Sequence, residues 1–213
     1  MKTLLINGSP KGTRGNSELF IQNIRKGMSA AVEVRYVAKE NPHALADEMH
    51  GYDRILMVMP LYFFSMPGIV QELLEVMDEN FQGVEFGYIV QQGFDESQAG
   101  DFLKTYFQCF TDRIHGHYLG TIVRGGSAGV CFMPAFMNRK LFAQLRSLGN
   151  HLEIHACFPS DIRKDFESPY RLSSRKVLWY RFLGKIGFMD MSWNRMLKQN
   201  HAYAKRFDRP YKY

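Results

Sequence analysis

The chain has 213 residues, 46% of them hydrophobic, with 27 Lys and Arg against 21 Asp and Glu. At roughly 100–200 residues per domain this is room for one well-buried domain and an extension, and no apolar stretch approaches the ~20 residues of a membrane span. Three cysteines without a C-x-x-C pair exclude a disulfide framework and argue against an iron–sulfur centre. A first strand in place of a basic, apolar, cleavable leader points to the cytoplasm.

Apolar runs then alternate with helix-period segments. In chain order the pattern predicts strand 3–7, helix 17–30, strand 32–38, helix 44–50, strand 54–60, helix 67–80, strand 86–91, helix 98–114, strand 117–124 and helix 136–152. Short apolar strands between amphipathic helices mean crossover units and a parallel sheet covered on both faces. Phe102, Leu103, Tyr106, Phe110 and Ile114 recur at three- and four-residue steps, as do Leu141, Leu145, Leu148 and Leu152, and both stripes are expected in the core.

The first strand runs into Asn7-Gly8-Ser9-Pro10 and reaches Asn16-Ser17 where a helix begins. Strand, small-residue loop and helix N-terminus together make a phosphate seat, because orphan N–H groups and the macrodipole favour an anion there. The order G-x-x-x-x-G-K-[ST] is missing, which argues against a nucleotide triphosphatase. Ser9-Pro10 after Gly8, with no acidic residue closing the second strand near Tyr36-Val37-Ala38, argues against a dinucleotide fingerprint. None of the three cysteines, Cys109, Cys131 and Cys157, stands in this loop, so a phosphatase that attacks through a cysteine there is excluded. A receiver domain would need an aspartate where Pro60 stands. What remains is a loop that binds a terminal phosphate without cleaving it.

A second segment, Met59-Pro60-Leu61-Tyr62-Phe63-Phe64-Ser65-Met66-Pro67-Gly68, ends the third strand at Pro60 and restarts a helix at Pro67, leaving a loop of aromatic rings that can cover a flat cofactor. On these two motifs, over roughly residues 1–155, the chain resembles the flavodoxin-like NAD(P)H-dependent FMN reductase and quinone reductase family. The resemblance implies a doubly wound five-stranded parallel sheet in the order 2-1-3-4-5, with helices on both faces and the ligand at the switch point. It implies FMN as cofactor, with Ser9, Lys11, Asn16 and Ser17 around its phosphate and Pro60, Leu61, Tyr62, Phe63 and Phe64 lining its rings. Gln92 and Gly93, in the loop Gln91–Phe94 after the fourth strand, fall to its pyrimidine side. NADPH or NADH would be co-substrate, with Lys11, Arg14 and Arg124 as candidates for a 2′-phosphate.

The remaining motifs are weaker. Arg124-Gly125-Gly126-Ser127-Ala128-Gly129 follows the fifth strand on the same edge and either borders the substrate or is a plain connection. His151 and His155, with Glu153 and Cys157, approach zinc spacing, but H-L-E-I-H is not H-E-x-x-H and Leu152, Ile154 and Ala156 suggest extended chain, so no metal site is expected. His115 and His117 belong to the opposite end of the sheet.

From residue 160 onward the chain carries 13 of its Lys and Arg but only five acidic residues, which separates a flavodoxin-like domain (1–159) from a basic, helical extension (160–213). Leu178, Trp179, Phe182, Leu183, Ile186 and Met189 share one helical face, expected to pack on the domain or on a second copy in a homodimer. Peripheral membrane contact is the lesser reading. Tyr203, Phe207, Tyr211 and Tyr213 among Lys205, Arg206, Arg209 and Lys212 superficially resemble a stacking surface, but without a reader motif nucleic acid is not an expected partner. The expected function is hydride transfer from NAD(P)H through FMN to a quinone, nitro compound, flavin or similar acceptor, with no catalytic side chain because the flavin N5 carries the chemistry. The alternatives are a flavodoxin-type electron carrier and a flavin-binding protein without nicotinamide turnover.

Overall fold

The computed structural model describes residues 1–187, 190–209 and 211, in two compact units, Met1–Arg171 and Leu172–Tyr213. Met189, Lys212 and Tyr213, counted above in the tail's stripe and aromatic-basic surface, lie outside the described residues.

The first unit is built on five parallel strands, β1 (Thr3–Asn7), β2 (Val32–Tyr36), β3 (Arg54–Pro60), β4 (Glu85–Gln91) and β5 (His117–Arg124), in the order β2-β1-β3-β4-β5. Every residue of β1 and β3 is buried, as apolar runs with a helix layer on each face require. Helices α1 (Asn16–Lys26), α5 (Arg139–Ile154) and α6 (Ser160–Phe166) enclose one core with Leu5, Leu56 and Ile89. Helices α2 (Pro42–Met49), α3 (Gly68–Val76) and α4 (Asp101–Arg113) enclose the other with Leu4, Ile6 and Met57.

Local chemistry trims the predicted elements. α1 stops at Lys26, not residue 30, because Gly27 caps it and Glu153 accepts the N–H groups of Ser29 and Ala30. α3 stops at Val76, not residue 80, where the Asp78 carboxylate accepts from the Asn80 N–H at 3.1 Å, a side-chain bond that competes with the helix. α4 turns Leu103, Phe107, Phe110 and Ile114 inward, so Phe102 and Tyr106, expected in the core, face solvent. α5 runs on through His151 to Ile154, where extended chain was expected; only His155 leaves it, with the two imidazoles 4.4 Å apart. Burial first, and His155 second, hold His151 below its ordinary pKa.

The unit also extends past residue 159, the boundary suggested by composition. Phe158 fits a slot where side chains on Gly87 of β4 and Gly120 of β5 would strike its ring, and Phe166 is fully buried. Lys104 then bridges Asp101 and Glu167, and Ser97 Oγ donates to the Glu167 carbonyl at 2.6 Å. Residues 160–171, grouped with the tail on charge, therefore fold with the sheet.

The second unit contains α7 (Ser174–Lys185), started by Ser173 Oγ accepting from the Lys176 N–H, and α8 (Asp190–Gln199). Among the described residues no helix is long and apolar enough to cross a membrane.

α1 and α5 cross at paired glycines: a side chain on Gly27 would meet the Arg146 carbonyl oxygen at 1.9 Å, and one on Gly149 the Ile24 carbonyl oxygen at 2.1 Å. Gly149→Ala is expected to destabilise the protein by about 2–3 kcal/mol through overpacking, although alanine is favoured over glycine inside helices by ~1 kcal/mol. The urea midpoint of unfolding checks the sign.

Candidate functional site

β1 ends in Asn7, whose fully buried amide organises the loop that follows. Its Nδ2 donates to the Gly12 carbonyl and to Glu18 Oε2, both at 3.2 Å, and its Oδ1 accepts from the Ser9 N–H at 3.0 Å. The Lys11 N–H donates to Ser9 Oγ at 3.3 Å, leaving the Ser9 hydroxyl hydrogen for an outside acceptor. The loop delivers the chain to α1 through Gly15, which has no side chain to cap the helix. By contrast, Asn41 Oδ1 accepts the Ala44 N–H at the start of α2. The Glu18 N–H turns back to the Gly15 carbonyl at 3.2 Å, so the orphan donors left to α1 are those of Asn16 and Ser17, and within this first turn Ser17 is 0% exposed with its Oγ unpartnered. A buried hydroxyl left without a partner costs about 1–3 kcal/mol.

Across the switch point, Pro60 closes β3 and Leu61 donates its N–H to the Gln91 carbonyl at 2.9 Å. Tyr62 and Ser65 then exchange both backbone bonds, at 2.8 and 2.9 Å, around Phe63 and Phe64 at φ of 48° and 62°. This two-residue turn places two non-glycine residues in the left-handed region, at roughly 1–3 kcal/mol each. It holds Phe63 100% exposed and Phe64 60% exposed.

Behind them, the Gln92 N–H donates to the Arg124 carbonyl and its Nε2 to the Glu96 carbonyl at 2.6 Å, while its buried Oε1 is unpartnered. The loop after β5 closes the third side. Gly125 passes so near the chain that a side chain there would meet the Asp95 carbonyl oxygen at 2.1 Å. The Ser127 N–H donates to the Gln92 carbonyl at 2.7 Å, and Asn16 clamps the loop to α1: its Nδ2 donates to the Ser127 carbonyl at 2.5 Å and its Oδ1 accepts from the Cys131 N–H at 3.0 Å.

These loops enclose a cleft of about 220 Å³ at the carboxyl edge of the sheet. Eight residues picked out in the sequence line it together: Ser9, Lys11 and Asn16 from the first loop, Pro60, Leu61 and Tyr62 from the second, Gln92 and Gly93 from the third. Ser17 lies buried at the helix start instead, and Phe63 and Phe64 project from the turn without lining the cleft. Asn16 differs from expectation as well, its amide being engaged by the loop at 127–131. Ala128, from the segment 124–129 that the sequence left open between bordering the substrate and a plain connection, joins the lining, as do Cys131 and Phe132, which no sequence motif marked. Arg124 faces an adjoining cavity of about 320 Å³ with Asn138, Lys140, Gln144 and Asp165. Burial lowers its pKa from the ordinary arginine value.

A β2-β1-β3-β4-β5 parallel sheet, wrapped on both faces and open at the β1/β3 switch point, decides the architecture. The fold is flavodoxin-like. No family model and no curated sequence matches the chain. Similar solved structures include an NADPH-quinone reductase from P. pentosaceus, 20% identical, TM-score 0.55, covering 69% of this chain and 96% of that one. The general stress protein 14 of Treponema denticola, in complex with FMN, is 14% identical, TM-score 0.53, over 69% and 99%. An NAD(P)H:quinone oxidoreductase from Methanothermobacter marburgensis is 12% identical, TM-score 0.55, over 73% and 98%.

Two substitutions test this flavodoxin-like site. Asn16→Ala is expected to cost about 1–2 kcal/mol by unpairing the Ser127 carbonyl and Cys131 N–H, and to expose the loop at 127–133 to limited proteolysis. Phe64→Gly is expected to stabilise the protein by about 1 kcal/mol in thermal unfolding, because glycine adopts the left-handed conformation freely.

Proposed function

We propose that the protein is an FMN-dependent oxidoreductase that uses NADPH or NADH to reduce a small flat acceptor such as a quinone, a nitro compound or a free flavin. The observation that carries this reading is the Ser17 hydroxyl, fully buried and unpartnered in the first turn of an α1 that has no side-chain cap. Such a group is stabilised by an anionic acceptor, and FMN ends in one. That two of the similar proteins above are quinone reductases and one binds FMN supports the choice.

In this reading Ser9, Ser17 and the first N–H groups of α1 hold the phosphate, while Lys11 adds positive charge at the mouth. Pro60, Leu61 and Tyr62 form one wall for the rings, Gln92 Oε1 offers an acceptor to their polar edge, and Ala128 and Phe132 form the wall opposite. Bound flavin supplies the hard chemistry, taking hydride from a nicotinamide and passing electrons to a second substrate. The chain's own part is placement: it holds the rings in a shallow cleft that both substrates can enter in turn, and no acid–base pair is required of it.

Ser17→Ala separates a ligand-holding role from a structural one. The variant should bind FMN at least about tenfold more weakly in calorimetric titration, since a hydrogen bond to a charged group is worth roughly 1.5–3 kcal/mol. The flavin-free variant should unfold at equal or higher temperature than the parent, because an unsatisfied buried hydroxyl has gone. Equal FMN affinity, or no FMN binding by the parent, refutes the assignment. FMN binding without steady NADPH or NADH consumption in the presence of a quinone would identify an electron carrier instead.

A further inference from the structure

The second unit poses a separate question. Residues 172–213 hold ten Lys and Arg against two acidic residues, together with both tryptophans of the chain, Trp179 and Trp193. α7 contributes no buried residue. Val177, Tyr180 and Leu183 are partly covered, but Leu178, Trp179, Phe182 and Ile186, clustered on another arc of the helix, are each more than half exposed. Trp179 and Phe182 stack with ring centroids 5.7 Å apart. α8 adds exposed Met191, Trp193 and Met196. Among the described residues, Arg175, Lys176, Arg181 and Lys185 form no ion pair. The unit therefore presents large apolar side chains and unpaired cations side by side, where a free soluble helix would cover the first and needs no excess of the second.

Charge decides between the surfaces that could cover it. A second copy of the unit carries the same excess of eight positive charges, so a self-complementary contact through this face sets like charge against like. A polyanion satisfies the cations but gives Leu178, Ile186, Met191 and Met196 nothing apolar to enter. An anionic bilayer satisfies both, phosphates outside and acyl chains beneath. A helix of 12 residues is about 18 Å long at ~1.5 Å per residue, too short for a hydrocarbon core of ~30 Å; it would lie in the interface, where tryptophan is favoured.

We propose that the carboxyl-terminal unit docks this protein on anionic lipid surfaces, with the Leu178–Trp179–Phe182–Ile186 face of α7 in the headgroup boundary. The proposal is independent of the flavin reading. Because both tryptophans belong to this unit, tryptophan emission of the full-length protein, excited beyond the tyrosine absorption band, reports on it alone. With vesicles of equal parts phosphatidylcholine and phosphatidylglycerol, the protein should co-float and its emission should shift to the blue. With phosphatidylcholine alone, flotation should be weak. Raising salt from ~0.1 M to ~1 M, which shortens the screening length from about 10 to about 3 Å, should weaken binding to the mixed vesicles. Lys185→Gln should lower the partition coefficient about fivefold and Phe182→Ser about tenfold or more, and both exposed substitutions should leave the circular dichroism unchanged. The proposal is overturned by absent flotation with unshifted emission, by a dimer in light scattering that Phe182→Ser dissolves, or by an emission shift with poly(U) but not with vesicles.

Discussion

The site follows from one constraint, the pairing of β1 with β2 on one side and β3 on the other. A right-handed crossover from β1 sends α1 to one face of the sheet, and the crossover from β3 sends α3 to the other. The loops leaving these two strands must therefore part, and the opening between them is the cleft. Nothing else in the fold needs to be specialised for a cleft to exist there. What is specialised is its chemistry, and that starts with Asn7, buried at the end of β1, whose amide holds the loop from both directions.

The two sides of the cleft are built on opposite principles. The first-loop side is nearly satisfied, with Asn7, Ser9 and Asn16 held in hydrogen bonds until the Ser9 hydroxyl hydrogen, the Ser17 hydroxyl and the N–H groups of Asn16 and Ser17 are what is left. The aromatic side stores strain, since Phe63 and Phe64 occupy a turn that favours asparagine and glycine. The strained turn holds two phenyl rings out in solvent, beside the cleft and not in its lining.

Charge divides the molecule along the same line as contact. Without residues 172–213 the chain has 17 Lys and Arg against 19 acidic residues, so the sheet unit is close to neutral and the second unit is strongly basic. A net charge near zero gives a weak long-range field, whereas an excess of eight positive charges over 42 residues gives a strong one.

The sheet order and eight of the residues lining the cleft were legible only through the family resemblance that the two loop motifs carry, whereas local patterns in the chain determined the alternation of strands and helices, because buried parallel strands and helix starts leave short-range signatures in residue type. β3 and β5 match their sequence ranges residue for residue for this reason. Tertiary contact alone decided the rest. No periodicity distinguishes a glycine that ends a helix from one that lets a neighbouring backbone approach, so the crossing at Gly27 and Gly149 was invisible, as was the slot for Phe158 that draws residues 160–171 into the sheet unit. The stripe on α4 was misread by one position in its turn, since Phe102 and Phe107 are equally apolar and only the start of the helix at Asp101 orients them. Asn16 looked like a phosphate ligand because its place in the loop is visible in sequence, whereas its partners, Ser127 and Cys131, lie more than a hundred residues away. Hydrogen bonds at that separation depend on where the loops meet in space, which is a property of the packed sheet and not of any segment within it.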